Sequence, residues 1–144
     1  MDAKLVEKTC SKTPHPSLCV YSLKSDPRSA HADISGLGLI MVDVVSTKVN
    51  GILKKIDTLL KQNPGDKALQ YCSHNYHFVL SIDIKEAKDA IMGDPKFAED
   101  SMNDASEYAD ACEIQFKGRS PLTKLNKYIS DASRVTSAIA KILE

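Results

Sequence analysis

The sequence predicts an all-α protein, an antiparallel up-down four-helix bundle carrying an N-terminal helical hairpin. Three observations predict it. Long stretches place apolar residues at steps of three and four, the pattern of helices that bury one face. Short breaks rich in Pro, Gly and Asn separate these stretches, and short connections make consecutive helices antiparallel neighbours. Val, Ile and Thr do not alternate with polar residues over any run, so little strand is expected.

The chain has 144 residues, enough for one compact domain with a substantial core. The expected organisation is a hairpin extension over 1–25 and the bundle over 26–144. Residues 2–9 suit a short helix, with Asp2 as its cap and Leu5 and Val6 apolar. Ser11-Lys12-Thr13-Pro14-His15-Pro16 is a turn, since two prolines stop a helix. Residues 17–23 suit a second short helix, and residues 25–29 a linker.

The first long helix is expected over 33–62. Leu37, Met41, Val44, Ile52, Ile56 and Leu59 form its stripe, widened by Val45, Val49, Leu53 and Leu60. Gly36, Gly38 and Gly51 each lower helix propensity by up to about 1 kcal/mol relative to Ala, and suit close packing or a bend. Asn63-Pro64-Gly65-Asp66 stops it. The second helix is expected over 67–92, with Leu69, Cys72, Tyr76, Val79, Ala87 and Ala90 inward. Asp83 falls on that stripe, so it should be near solvent or hydrogen-bonded. A third helix over 95–116 has a thin inner face of Ser101, Ala105, Tyr108 and Cys112. The last begins at Ser120-Pro121 and carries an a/d seam of Leu122, Leu125, Ile129, Ala132, Thr136, Ile139 and Leu143.

Four cysteines, none spaced as CxxC, suit two disulfides in a secreted protein, with free buried thiols as the alternative. Cys10 and Cys19 flank the first turn. A bridge there would clip a hairpin too short to persist alone, adding about 2–3 kcal/mol in the chain-entropy model. Cys72 lies near the start of its helix and Cys112 near the end of the next. Antiparallel packing brings these ends together, so Cys72–Cys112 is the natural second bridge. The chain opens on the polar Met1-Asp2-Ala3-Lys4, with no signal peptide in front, and is read as a mature form.

Several functions are disfavoured. Basic and acidic residues number 19 each, so no basic stripe for nucleic acid is implied. No apolar run approaches a membrane span: residues 37–41 and 42–45 come closest, and Asp43 interrupts them. With no Trp, a sugar-stacking groove is not expected. Cys72, His74 and His77 have usable metal-ligand spacing but no fourth ligand, so no metal is expected, and no cofactor. No Glu-x-x-His motif or Gly-rich phosphate loop occurs. Glu99, Asp100, Asp104 and Glu107 read as a solvated acidic helix face. No catalytic residue is assigned, and the chain is not expected to be an enzyme.

The stretch Met92-Gly93-Asp94-Pro95-Lys96-Phe97 is the candidate functional site. Pro95 suits the first position of a helix. Asp94 before it can cap that helix, and Gly93 lets the chain reverse. The elbow presents a cation at Lys96 and a ring at Phe97, and a pre-ordered loop loses little entropy on docking. The alternative is a plain helix start, with Phe97 packed inward and Lys96 in solvent.

These marks together carry a resemblance. Cys10 and Cys19 around a Thr-Pro turn, Asp26-Pro27-Arg28-Ser29, Asp33 leading into Gly36-Leu37, Cys72, and Cys112-Glu113 occur in order. The chain resembles the plant invertase and pectin methylesterase inhibitor family over nearly its whole length. The resemblance implies a four-helix bundle with an N-terminal hairpin and the bridges Cys10–Cys19 and Cys72–Cys112. Gly93-Asp94-Pro95-Lys96-Phe97-Ala98-Glu99-Asp100 looks like the invertase-inhibitor branch, where a Pro-Lys-Phe motif enters the target's substrate cleft. Ile40-Met41-Val42-Asp43 also looks like that branch. The resemblance thus implies target binding by Asp94, Pro95, Lys96 and Phe97, and a one-to-one complex with acid invertase. It implies secretion to the apoplast, cell wall or vacuole. The alternatives are a pectin methylesterase inhibitor acting through the bundle face, and a non-inhibitory bundle on the same scaffold.

Overall fold

The structure is a computed structural model that describes residues 3–144. Asp2, the expected first cap, lies outside the described residues. Helices α1 (Ala3–Cys10) and α2 (Pro16–Lys24) form the hairpin. Their turn is closed by the Cys10–Cys19 disulfide, with Cα atoms 5.5 Å apart. Pro16 begins α2, since its missing N–H would have had no helical acceptor. The expected linker is a 3₁₀ turn, Pro27–His31, whose entry is set by the Asp26 carboxylate accepting from the Arg28 N–H at 2.9 Å.

Helix α3 (Ile34–Gln62) is 29 residues long and starts where Asp33 accepts from the Gly36 N–H at 2.8 Å. It is long and apolar enough to cross a membrane by length and composition, contrary to expectation, because its few charges lower the average too little. Its apolar side lies in the core instead: Leu37, Met41, Val45, Val49, Ile52 and Ile56 are fully buried. Gly38 is there for close approach. A Cβ added to it would stand 3.2 Å from Ile91 Cδ1 and 3.5 Å from Ile139 Cγ2.

The second rod differs from the uninterrupted helix expected. It runs as α4 (Lys67–Phe78), a π-helical turn (Val79–Asp83) and α5 (Ile84–Ala90). Ser81 supplies a local cause, because its hydroxyl donates to the His77 carbonyl at 2.8 Å and competes with the regular ladder. The inner stripe still holds, with Leu69, Cys72, Tyr76, Val79 and Ala87 buried.

Helix α6 (Pro95–Ile114) follows the elbow, and α7 (Thr123–Ile142) closes the bundle. The seam of α6 is Ala98, Met102, Ala105, Ala109 and Cys112, all fully buried. Tyr108, expected inward, instead lies at the edge with its ring centroid 5.3 Å from that of Phe78. The small alanines let α7 approach closely. The expected α7 seam is buried at Leu122, Ile129, Ala132, Thr136 and Ile139. Ser120 accepts from the Leu122 N–H at 2.9 Å, one turn before the helix proper.

Packing runs α3 to α4 and α5, these to α6, α6 to α7, and α7 back to α3, which is the up-down ring expected. Cys72–Cys112 joins the second and third rods at the end away from the elbow, with Cα atoms 5.0 Å apart. Beside it, the Tyr76 hydroxyl donates to Asn126 Oδ1 and Asn126 Nδ2 donates to Glu113 Oε1 at 2.8 Å. The core therefore holds both ends of the rods that support the elbow.

Candidate functional site

The elbow is built from its anchor outward. Ile91, 1% exposed, is the last buried side chain of the second rod. The chain turns at once: the Gly93 and Asp94 N–H groups both donate to the Ala90 carbonyl, at 3.2 and 2.7 Å. Gly93 was expected to permit the reversal through its conformational freedom. It keeps a φ open to any residue, and a Cβ there would meet nothing within 4 Å. The hydrogen bonds to Ala90 make the turn instead. Asp94 then caps α6 with its side chain, accepting from the Phe97 N–H at 3.2 Å, and Pro95 takes the first turn.

The structure brings Asp94, Pro95, Lys96 and Phe97 together at one end of the bundle. Lys96 is not an unpaired cation. Its ammonium lies 3.2 Å from Asp100 Oδ1 and 3.3 Å from Glu99 Oε1, one turn along the same helix. Those bonds, Asp100 first, hold its pKa above the ordinary lysine value. Glu99 is also hydrogen-bonded to the Glu144 carboxyl, which that contact pushes upward. Phe97 is 44% exposed, so the inward alternative does not describe it. Met92, 73% exposed, is the larger apolar contribution and was not singled out. Its signal was position: Ile91 takes the buried place and leaves the next residue, before Gly93, to face out.

Behind Phe97 a pocket of about 260 Å³ opens between α5 and α6, lined by Asp83, Glu86, Phe97, Asp100, Ser101 and Asp104. Asp83 was expected to be solvated or hydrogen-bonded. It is 2% exposed and hydrogen-bonded to the Asp104 carboxyl, while its Oδ2 meets no N–H or hydroxyl donor. Burial, then the facing Asp104 carboxyl, then Glu86 push its carboxyl up to about 8. Asp104 belongs to the acidic stretch read as a solvated face, and it is half-buried, hydrogen-bonded to Asp83 across the two helices.

Residues 4–142 match the model of one family, described as plant invertase/pectin methylesterase inhibitor. The chain belongs to that family. A cell wall / vacuolar inhibitor of fructosidase 1 from Arabidopsis thaliana is 44% identical over 140 residues, covering 96% of this chain and 68% of that protein. A pectinesterase inhibitor from Actinidia deliciosa is 33% identical over 118 residues, 79% of this chain and 63% of that one. Among solved structures, a mutant pectin methylesterase inhibitor from Arabidopsis superposes with a TM-score of 0.79 at 22% identity, covering 92% of this chain and 93% of that one. At that identity the likeness speaks for the family's bundle alone.

Proposed function

We propose that the protein inhibits a plant acid invertase by occupying its sucrose-binding cleft, in a one-to-one complex, with the Pro95-Lys96-Phe97 loop. The observation that carries this is the capped, exposed corner presenting a cation, a ring and Met92 on a rigid end of the bundle. The 44% identity to an inhibitor of fructosidase supports the target class. Glycoside hydrolases of this kind flank the scissile bond with carboxyl groups. A cleft of that charge can take over Lys96 from Glu99 and Asp100, replacing one set of carboxylates by another. Phe97 and Met92 then exclude water around the new pair and strengthen it. Sucrose is blocked by occupancy, and the inhibitor does no chemistry. The two disulfides suit an oxidising setting such as the cell wall, and the relative's name adds the vacuole.

The test is a titration of purified acid invertase at mildly acidic pH. Lys96→Glu is expected to abolish inhibition while leaving the helical circular dichroism intact, and full inhibition by that variant would remove the mechanism. A second reading, pectin methylesterase inhibition through the bundle face, is favoured by the 33% identity to a pectinesterase inhibitor. Assaying both enzymes with the same preparation separates the two.

A further inference from the structure

We infer that the cleft between the hairpin and the bundle is a binding site for a small aryl carboxylate, a planar ring carrying one negative charge. The cleft has a volume of about 370 Å³, and no residue of the elbow lines it. Helix α2 and the chain after it form one wall, with Tyr21, Ser22, Asp26 and Arg28. Helices α3 and α7 form the other, with Asp43, Thr47, Lys48 and Tyr128. The Ser22 and Tyr128 hydroxyls join the two walls, 3.1 Å apart.

The charges inside are unevenly used. Arg28 holds both carboxylates: its Nη2 lies 2.7 Å from Asp26 Oδ2 and its Nη1 lies 3.1 Å from Asp43 Oδ2. The other Asp43 oxygen is taken by the Lys88 ammonium at 3.2 Å. Lys48 is left over. It is half-buried, its ammonium lies 4.7 Å from the centre of the Tyr128 ring, and it pairs with no carboxylate among the described residues. A ring face attracts an ammonium but offers its N–H donors no lone pair. An incoming carboxylate supplies that acceptor on the open side.

The rest of the lining suits a flat apolar body. Ile40 and Val44 line the cleft between the charged groups. Tyr21, 74% exposed, stands at the mouth and also borders an apolar hollow beside Pro16 and Val20. A ring tethered by its carboxylate to Lys48 gains offset stacking against Tyr21. The Thr47 hydroxyl, which bonds to no described residue, is free to meet a polar ring substituent. A single surplus cation selects a single carboxylate. A phosphate or a dicarboxylate would set a second negative charge against Asp26 and Asp43, whose cations are already committed.

The test titrates the isotopically labelled chain at near-neutral pH with para-hydroxybenzoate and follows backbone amide shifts. Para-hydroxybenzamide carries the ring without the charge, and acetate carries the charge without the ring. Shifts centred on Tyr21, Thr47, Lys48 and Tyr128 are expected, with each control binding about tenfold more weakly. Lys48→Met should bring the acid and the amide to equal affinity, and Lys48→Arg should keep the preference, both with native circular dichroism. An absence of shifts at the cleft overturns the proposal. Acetate binding as tightly as para-hydroxybenzoate also overturns it, since the cleft would then take any small anion. Tighter binding of galacturonate does the same, since the site would then belong to a sugar acid. A folded Lys48→Met chain that still prefers the acid overturns it as well. The three compounds on the native chain decide the matter if that variant does not fold.

Discussion

The Asp94 carboxylate accepts the Phe97 backbone N–H at 3.2 Å, and this bond sets the direction in which Lys96 and Phe97 leave the bundle. Replacing Asp94 by Ala removes a helix cap, at a cost of about 1 kcal/mol. A small fall in thermal midpoint is therefore expected. Affinity for invertase should fall further than stability does, because the corner must now be ordered on binding. Asp94→Ser keeps an acceptor and should recover most of both. Titration and thermal melting of the variants check this, and wild-type behaviour of Asp94→Ala in the titration would show that the cap does not prepare the corner.

The disulfides should differ in weight. Cys72–Cys112 spans 40 residues and Cys10–Cys19 spans 9. The chain-entropy model assigns about 4 kcal/mol to the longer loop and about 2.6 kcal/mol to the shorter. Paired Cys→Ser variants in urea should follow that order. The reverse order would mean that the hairpin contributes to the core more than loop length implies.

Asp83 sets a pH dependence with a definite sign. Its carboxyl is raised from 3.8 to about 8 in the folded chain, by burial first and by Asp104 and Glu86 after it. A raised acid favours the fold while protonated, so its contribution is complete below pH 3.8 and declines as pH rises toward 8. Asp83→Asn should flatten that decline and raise stability near pH 8, with little effect near pH 4. Melting curves across this range decide it. An asparagine variant less stable than the native chain at pH 8 would show that Asp83 has a cation partner in solution.

Gly38 and Ile91 link the core to the elbow. Enlarging Gly38 to Val drives a side chain into Ile91, whose Cδ1 and Cγ1 already lie 3.2 Å from a Cβ at that position. Overpacking of this kind costs about 1–3 kcal/mol. Because Ile91 is the last fixed residue before the corner, inhibition should weaken together with thermal stability. A Gly38→Val protein with lowered stability and unchanged inhibition would show the corner to be independent of its anchor.

Much of the fold was legible because helical spacing and capping are local. Asp94 was read as a helix cap and accepts a backbone N–H three residues on; Asp33 and Asp66, not read as caps, do the same. The elbow was visible for the same reason. The pairing of Lys96 is equally local, at spacings of three and four to Glu99 and Asp100. What could not be read depends on rods meeting. Of the expected α6 stripe, Ser101, Ala105 and Cys112 are buried, and Ala98, Met102 and Ala109 widen the seam; Tyr108 alone lies at the edge. The π-turn left no mark in the apolar spacing. The pairing of Asp83 with Asp104 across two helices is likewise invisible in either segment alone.

The π-turn also restricts the length of the second rod. Each residue advances a regular helix by roughly 100°. Deleting one position between Val79 and Asp83 would restore regular winding and swing the two halves by about that angle against each other. Either Cys72 would turn away from Cys112, or Ile91 would turn away from Gly38. The number of residues between the bridge and the corner is therefore locked: one half of the rod is set by a sulfur bond, the other by a glycine notch, and the wide turn absorbs the difference in phase.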